Sequence, residues 1–260
     1  MPTVHEIESA LFALAPEELA QEWDNVGLLV GRPSRDVQRV LVALDITEAV
    51  IAEAEREQMD LIVAHHPIMN CAWRPVQSIR SDDIQGRKLM RLIEYDISAI
   101  CMHTNLDAAP GGVNDALAAA LELEQVEVME GGEGIVRTGL LPERMSLQQF
   151  LALVEERLKP NGVRYSDGGR LIRKVAVGGG ACGGYFRTAA EKRCDVFVTA
   201  DVKYDQFLDA KELGLTLVDA GHYPTEDVVC GVLVRYLAQQ FPKLTIQKSS
   251  SHREVIEYDI

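Results

Sequence analysis

Cysteine is scarce in this sequence and follows no pairing pattern: Cys71, Cys101, Cys182, Cys194 and Cys230 are scattered over 260 residues, with no CxxC. An odd, dispersed set excludes a disulfide framework and a cysteine-rich zinc knuckle, and reduced thiols point to the cytoplasm. Long apolar runs are missing too, since no stretch approaches the ~18 residues that a membrane span requires. The amino-terminal MPTVHEIESALFALAPEELAQEW has acids where an export signal has bases, so neither secretion nor an anchor is expected. Positive charge is the third shortage: 26 Lys and Arg face 40 Asp and Glu, a net charge of -14. A surface this acidic repels phosphate backbones and anionic lipid, which argues against a nucleic-acid or membrane binder and brings small-molecule chemistry forward.

What is present is a core-forming composition, 47% hydrophobic and 25% charged, long enough for one large or two ordinary domains. Apolar, β-branched runs alternate with amphipathic stretches, the pattern of an α/β fold. Helices are expected over 4–21, 47–58, 84–95, 113–122, 146–158, 185–193, 205–213 and 226–240. Strands are expected over 39–45, 60–65, 97–102, 125–129, 173–178, 195–200, 215–219 and 244–248.

This order of elements repeats. A shift of 135 lays 39–64 on 174–199 without a gap, with Val40/Val175, Val42/Val177, Ala54/Ala189, Asp60/Asp195 and Val63/Val198 coinciding. A shift of 119 then lays ISAICMHTNLD on TLVDAGHYPTE, so that His103 falls on His222 and Asp107 on Glu226. The sequence therefore reads as two related α/β units, 1–130 and 131–260, joined near the GGEG at 131–134, with the C-terminal helix and strand free to pack back on the first. A pseudo-twofold axis would bring the two His-x-x-x-acid segments face to face.

Four of the six histidines lie in three short segments, each ending an expected strand: AHHP (His65, His66), MHTNLD (His103, Asp107) and GHYPTE (His222, Glu226). Loops at the carboxyl ends of strands form the binding crevice of α/β proteins, so these segments are expected to converge. Successive side chains on a strand point to opposite faces, so His65 and His66 grip one ion only if the chain turns there, and Pro67 permits such a turn. Placing one imidazole on each of two neighbouring ions explains the pair better. Pro224 and Thr225 argue against a continuous helix through His222 and Glu226, with Thr225 as the cap of the next helix. Asp107 is expected on a Gly/Pro loop. Imidazole with carboxylate suits Zn, Mn, Fe, Co or Ni.

Other features read more plainly. VGGGACGG (177–184) is either a tight turn or an anion cradle, and it lacks the Lys-Ser/Thr of a P-loop. Asp201 in TADVKY ends the strand equivalent to the one carrying His65 and could reach the same crevice. Trp23 is expected in the core, Asp24 as a cap or in a turn, Cys71 and Cys101 as buried small residues, and His5 and His252 in solvent.

Taken in order, EWDNVGLLVG, AHHP, HTNLDAAPGGVNDALA, VGGGACGG, TADVKY and DAGHYPTE resemble the Ngg-interacting-factor-three-like proteins, also called GTP cyclohydrolase I type 2 homologues. The likeness spans nearly the whole chain. It implies two α/β domains, each a sheet layered with helices, with a dinuclear metal site in the cleft between them and assembly into a toroidal homohexamer. The implied ligands are His65, His66, Asp107, His222 and Glu226, with Glu226 the bridge and His103 beside the ions. Relatives have a Gly/Ser-rich turn where this chain has Gly178–Gly184, and TGD where it has TAD, so no substrate contact is carried over. The family name points to ring opening of GTP by activated water at C8 with loss of formate, with Asp201 or His103 handling protons. The alternative is a non-enzymatic ring-shaped partner or regulator whose metals are structural or sensory.

Overall fold

A computed structural model of the chain describes residues 1–72 and 75–259. The elements run α1 (Val4–Leu14), β1 (Gly27–Val30), β2 (Arg39–Ala43), α2 (Glu48–Arg56), β3 (Leu61–Ala64), α3 (Ile84–Glu94), β4 (Ser98–Cys101) and α4 (Thr104–Ala108). They continue with α5 (Val113–Ala120), β5 (Glu124–Val128), β6 (Arg137–Met145), α6 (Leu147–Leu158), β7 (Arg164–Ser166), β8 (Ile172–Val177), α7 (Phe186–Glu191) and β9 (Val196–Thr199). Last come α8 (Tyr204–Glu212), β10 (Thr216–Asp219), α9 (His222–Glu226), α10 (Val228–Gln240) and β11 (Thr245–Lys248).

Two compact units result, residues 1–110 with 230–253 and residues 111–229 with 254–260. The boundary expected near 130 thus falls inside the second unit, because β5 is hydrogen-bonded to β6 and belongs to the second sheet. The stretch 230–253 belongs to the first, where β11 pairs in parallel with β2.

The first sheet has the order β1-β4-β3-β2-β11. β2, β3 and β4 are parallel and β1 closes one edge antiparallel to β4. LIVA of β3 and SAIC of β4 are buried throughout, as strands covered on both faces must be. One face packs Leu41, Ile62 and Ala99 against Val50, Ile51 and Ala54 of α2 and Leu89 and Leu92 of α3. α1 opens with a capping box between Thr3 and Glu6 and stops at Ala15, short of the expected 21. Pro16 disfavours helical geometry in the residue before it.

An acid is buried in this first unit. Glu53 of α2 takes the backbone N–H groups of Ser250 (2.9 Å) and Ser251 (3.1 Å), the Ser250 hydroxyl (2.7 Å) and the Ser249 hydroxyl. Burial opposes its charge, but these donors outweigh it and bring the carboxyl down to about 2.

The second sheet has the order β5-β6-β8-β9-β10-β7, with β8, β9 and β10 parallel and β7 antiparallel on β10. Its faces separate with period two: Val175, Val177, Val196 and Val198 face α6 residues Phe150 and Val154, while Ala176 and Phe197 face Phe186 and Ala189 of α7. β6 and β7 escape sequence reading. β6 is polar and carries Pro142 in an irregular stretch where its register with β8 shifts, and β7 is three half-exposed edge residues.

Both units therefore share one plan, three sequential parallel strands flanked by an antiparallel strand that precedes them in the chain. β3 shifted by 135 coincides with β9.

Candidate metal site

In the first unit the candidate residues follow the carboxyl ends of β2, β3 and β4. Beyond β3 the backbone N–H groups of His65 and His66 both donate to the Leu44 carbonyl, at 3.1 and 3.0 Å, so the chain turns at the histidine pair. That turn defeats strand alternation and sets the two rings 4.8 Å apart, centroid to centroid. The His103 ring lies 5.1 Å from His65 and 5.5 Å from His66. One nitrogen of each imidazole comes within 4.8 Å of the others. Asp107 Oδ1 is 3.6 Å from His65 Nε2.

Each of these rings is held from behind. His65 Nδ1 is 2.8 Å from the Met102 carbonyl, which can only accept, so Nδ1 carries the proton and Nε2 keeps its lone pair. His66 Nδ1 is 3.0 Å from Asp45 Oδ1, and His103 Nδ1 is 2.9 Å from both oxygens of Asp24. Imidazoles whose Nδ1 is tied to an acceptor are oriented for metal binding through Nε2.

Of its two expected roles, Asp24 takes that of a cap. Its Oδ2 accepts from the Thr104 backbone N–H (3.0 Å) and hydroxyl, capping α4, which holds Asp107 on a helix rather than on the expected loop. Burial opposes its charge, and His103 and Thr104 outweigh this, bringing it down to about 2. Trp23 is not in the core: it is 46% exposed and packs edge-on to His103 at 5.9 Å. Cys71 and Cys101 are buried.

In the second unit His222 and Glu226 occupy the two ends of α9, with His222 Nε2 3.0 Å from Glu226 Oε2. The helix expected to be broken there does form. Pro224 is its third residue, where the backbone N–H has no partner within the helix and is not missed. Thr225 does not cap the next helix; its hydroxyl donates back toward Gly221 and accepts from the Gly180 N–H at 3.0 Å. Asp201, expected only to reach the crevice, has its Oδ2 2.6 Å from His222 Nδ1. Burial works against a charge on His222, but Glu226 and Asp201 on its two ring nitrogens outweigh this and push it up to about 11. The same contact with His222 lowers Asp201. The pocket favours positive charge at the imidazole, as a cation-binding position should.

The glycine turn has a steric purpose. A Cβ at Gly180, where φ is +62, would lie 2.0 Å from Glu226 Oε1 and 3.2 Å from His222 Cε1. The amides of Gly178, Gly179 and Gly180 are engaged within the protein: Gly178 donates to Val198, Gly179 to Asn114 and Gly180 to Thr225. At Gly178–Gly180 the chain is the tight turn of the two readings, and Gly180 leaves room for Glu226.

The five expected ligands thus fall into two sets, His65, His66 and Asp107 in the first unit and His222 and Glu226 in the second. Both sets offer nitrogen and carboxylate oxygen, the donors of borderline divalent cations. Residues 2–254 match the sequence profile of the family described as Duf34/NIF3 (NGG1p interacting factor 3). The chain belongs to the Duf34/NIF3 family. Two relatives named "GTP cyclohydrolase 1 type 2 homolog" are similar over most of their length. The one from Clostridium perfringens is 33% identical over 86% of this chain and 86% of its own, and the one from Streptomyces coelicolor 36% over 87% and 82%. Among solved structures, a Bacillus cereus protein related to NIF3 has a TM-score of 0.91 at 26% identity, covering 100% of this chain and 99% of that one. Reduced HcgD from Methanocaldococcus jannaschii has a TM-score of 0.83 at 30% identity, covering 95% and 97%.

Sequence reading missed Asp45, which follows the carboxyl end of β2 on the edge that carries the histidines. That position was itself the available signal. It also placed His252 in solvent, whereas the side chain is buried beside Asp45. No helix among the described residues is long and apolar enough to cross a membrane.

Proposed function

We propose that the chain is a metal-dependent hydrolase of a small molecule, in which His65, His66, Asp107, His222 and Glu226 hold two divalent cations of the Zn, Mn, Fe, Co or Ni group. The observation that carries this reading is the backing of the imidazoles: His65 and His66 each have Nδ1 tied to an acceptor, leaving Nε2 as the donor atom, and Asp201 holds His222 by Nδ1 so that a cation at Nε2 would replace the proton shared with Glu226. Paired cations supply an activated water and polarise the atom it attacks. The protein's own part is to fix the ligands, with Gly180 leaving room for Glu226, and to keep His103 oriented by Asp24 beside them. The relatives' name favours a purine nucleotide such as GTP as substrate, and the reading includes assembly of the chain into a toroidal homohexamer in the cytoplasm.

His222→Ala should lose metal and activity together while the fold persists, as measured by elemental analysis, turnover and circular dichroism. Stoichiometric metal retained in that variant would sink the assignment. A second reading, a non-enzymatic ring-shaped regulator with structural metal, draws on the interaction-factor name of the family. Chelation separates the two: loss of a structural ion unfolds its protein, whereas a catalytic site empties with the fold intact and keeps an exchangeable position. A substrate screen with GTP and other nucleotides on the metal-loaded protein then tests the activity itself.

A further inference from the structure

The segment after β11 ends beside the first unit's histidines. β11 lies parallel to β2, and the Ser249 N–H donates to the Val42 carbonyl at 2.7 Å. Ser249, Ser250 and Ser251 then close on Glu53, and the His252 N–H donates to the Ser249 hydroxyl at 3.3 Å. Two anchors therefore set the place of His252. Its side chain is only 8% exposed, its Nε2 lies 3.4 Å from Asp45 Oδ2, and its Nδ1 faces the Asp45 N–H at 3.5 Å. An imidazole that accepts from an amide at Nδ1 carries its proton on Nε2, so the His252 ring can donate to Asp45.

Asp45 is thereby engaged from both sides. Oδ1 meets the His66 Nδ1 at 3.0 Å and Oδ2 meets His252 Nε2. The carboxylate is still 23% exposed, so without His252 water would compete for its Oδ2 and the rotamer would be less firmly held. A carboxylate that swings away stops fixing the tautomer of the imidazole it backs.

We infer that His252 and Asp45 form a positioning pair for His66: His252, delivered from the far end of the chain, holds Asp45 in the rotamer that keeps the His66 proton on Nδ1 and its Nε2 lone pair available. Neither residue touches the cation or the substrate. The inference rests on the reading of His66 as a ligand, and its test has one readout that needs no metal.

The test uses the full-length chain with His252→Ala, His252→Gln and Asp45→Asn. Long-range 1H–15N spectra of the metal-free protein report the His66 tautomer, and titration with Co(II), followed by visible absorption, reports affinity and ligand geometry. His252→Ala should shift His66 from the Nδ1–H form to a mixture and weaken Co(II) binding about tenfold, with an altered spectrum. Asp45→Asn should do the same more strongly, and His252→Gln, whose amide can donate to Asp45, should recover most of the wild-type behaviour. An unchanged tautomer and an unchanged Co(II) curve in both His252→Ala and Asp45→Asn overturn the inference. If the wild type binds no Co(II) yet the tautomer responds to His252→Ala, the metal reading falls and the positioning pair stands. Should His252→Ala not fold, His252→Phe fills the space without a donor and takes its place: a shifted His66 tautomer supports the pair, and an unchanged one overturns it.

Discussion

In the first unit the second parallel strand runs into His65 and His66, while its counterpart in the second runs into Ala200 and Asp201, the same positions after a shift of 135. The third parallel strand leads in both cases to a histidine and, four residues on, an acid: His103 and Asp107 in one, His222 and Glu226 in the other. The difference lies in who supports whom. In the second unit the strand-end position supplies the carboxylate, Asp201, that grips His222. In the first unit that position has become a histidine, His66, and the supporting acids come from elsewhere, Asp24 for His103 and Asp45 for His66. One strand plan can thus place at the same position either a clustered imidazole or the carboxylate that supports one.

The sharpest way to break this comparison is Gly180→Ala, which touches only the second set. The added Cβ meets the buried Glu226 carboxylate on a backbone that already disfavours a side chain, so Glu226 must move. Metal held through Glu226 should be lost, and stability should fall by about 1–3 kcal/mol. Elemental analysis and urea denaturation check both. Glu53 should show a stability effect at least as large but with no loss of metal, in the first unit alone. Its folded carboxyl sits near 2 against an ordinary value of 4.5, so its contribution is complete above about pH 4.5 and disappears as pH falls through 2. That contribution is about 3 kcal/mol, and Glu53→Gln should remove most of it at pH 7 and flatten the acid limb of the denaturation profile.

Asp24→Asn and Asp201→Asn then compare the two supporting acids directly. The side chain of Asp24 is fully buried and accepts from His103 and Thr104, so its neutral isostere should destabilise by about 1.5–3 kcal/mol. Asp201 is roughly half exposed, and the same change should stay below about 1 kcal/mol. Equal losses in denaturant would show that the two acids are not distinguished by their setting. The smallest effect concerns thiols. Cys71, Cys101, Cys194 and Cys230 are buried, and burial pushes the Cys194 thiol up to about 11. A thiol reagent on the native protein should therefore label Cys182 alone, confining modification to the second unit.

Much of this was legible in the sequence because the parallel strands are continuous apolar runs that a reader cannot mistake for loops, as in LIVA and VFVT. The repeat in their order located His103 against His222. What escaped was set by contacts rather than by pattern. The short helices α4 and α9 are five residues each, too brief for any period, and exist because Asp24 caps one and the hydroxyl of Thr225 ties the other to Gly221. Trp23 reads as a core residue by type and is half exposed because its neighbour Asp24, not the indole, turns inward. The serines of 249–251 look like a solvated tail, and nothing local reveals that a glutamate almost 200 residues earlier needs them. Asp45 stood at a strand end in plain view, but its importance depends on which imidazole comes to rest beside it.

The placement of β11 next to β2 also bears on how the chain is made. Residues 111–229, most of the second unit, are synthesised before 245–248, so the first sheet gains the strand on its β2 border only after most of the other unit has been made. Until then that border has open backbone groups, a template on which a nascent neighbour could pair. Pairing of β11 with β2 closes that border.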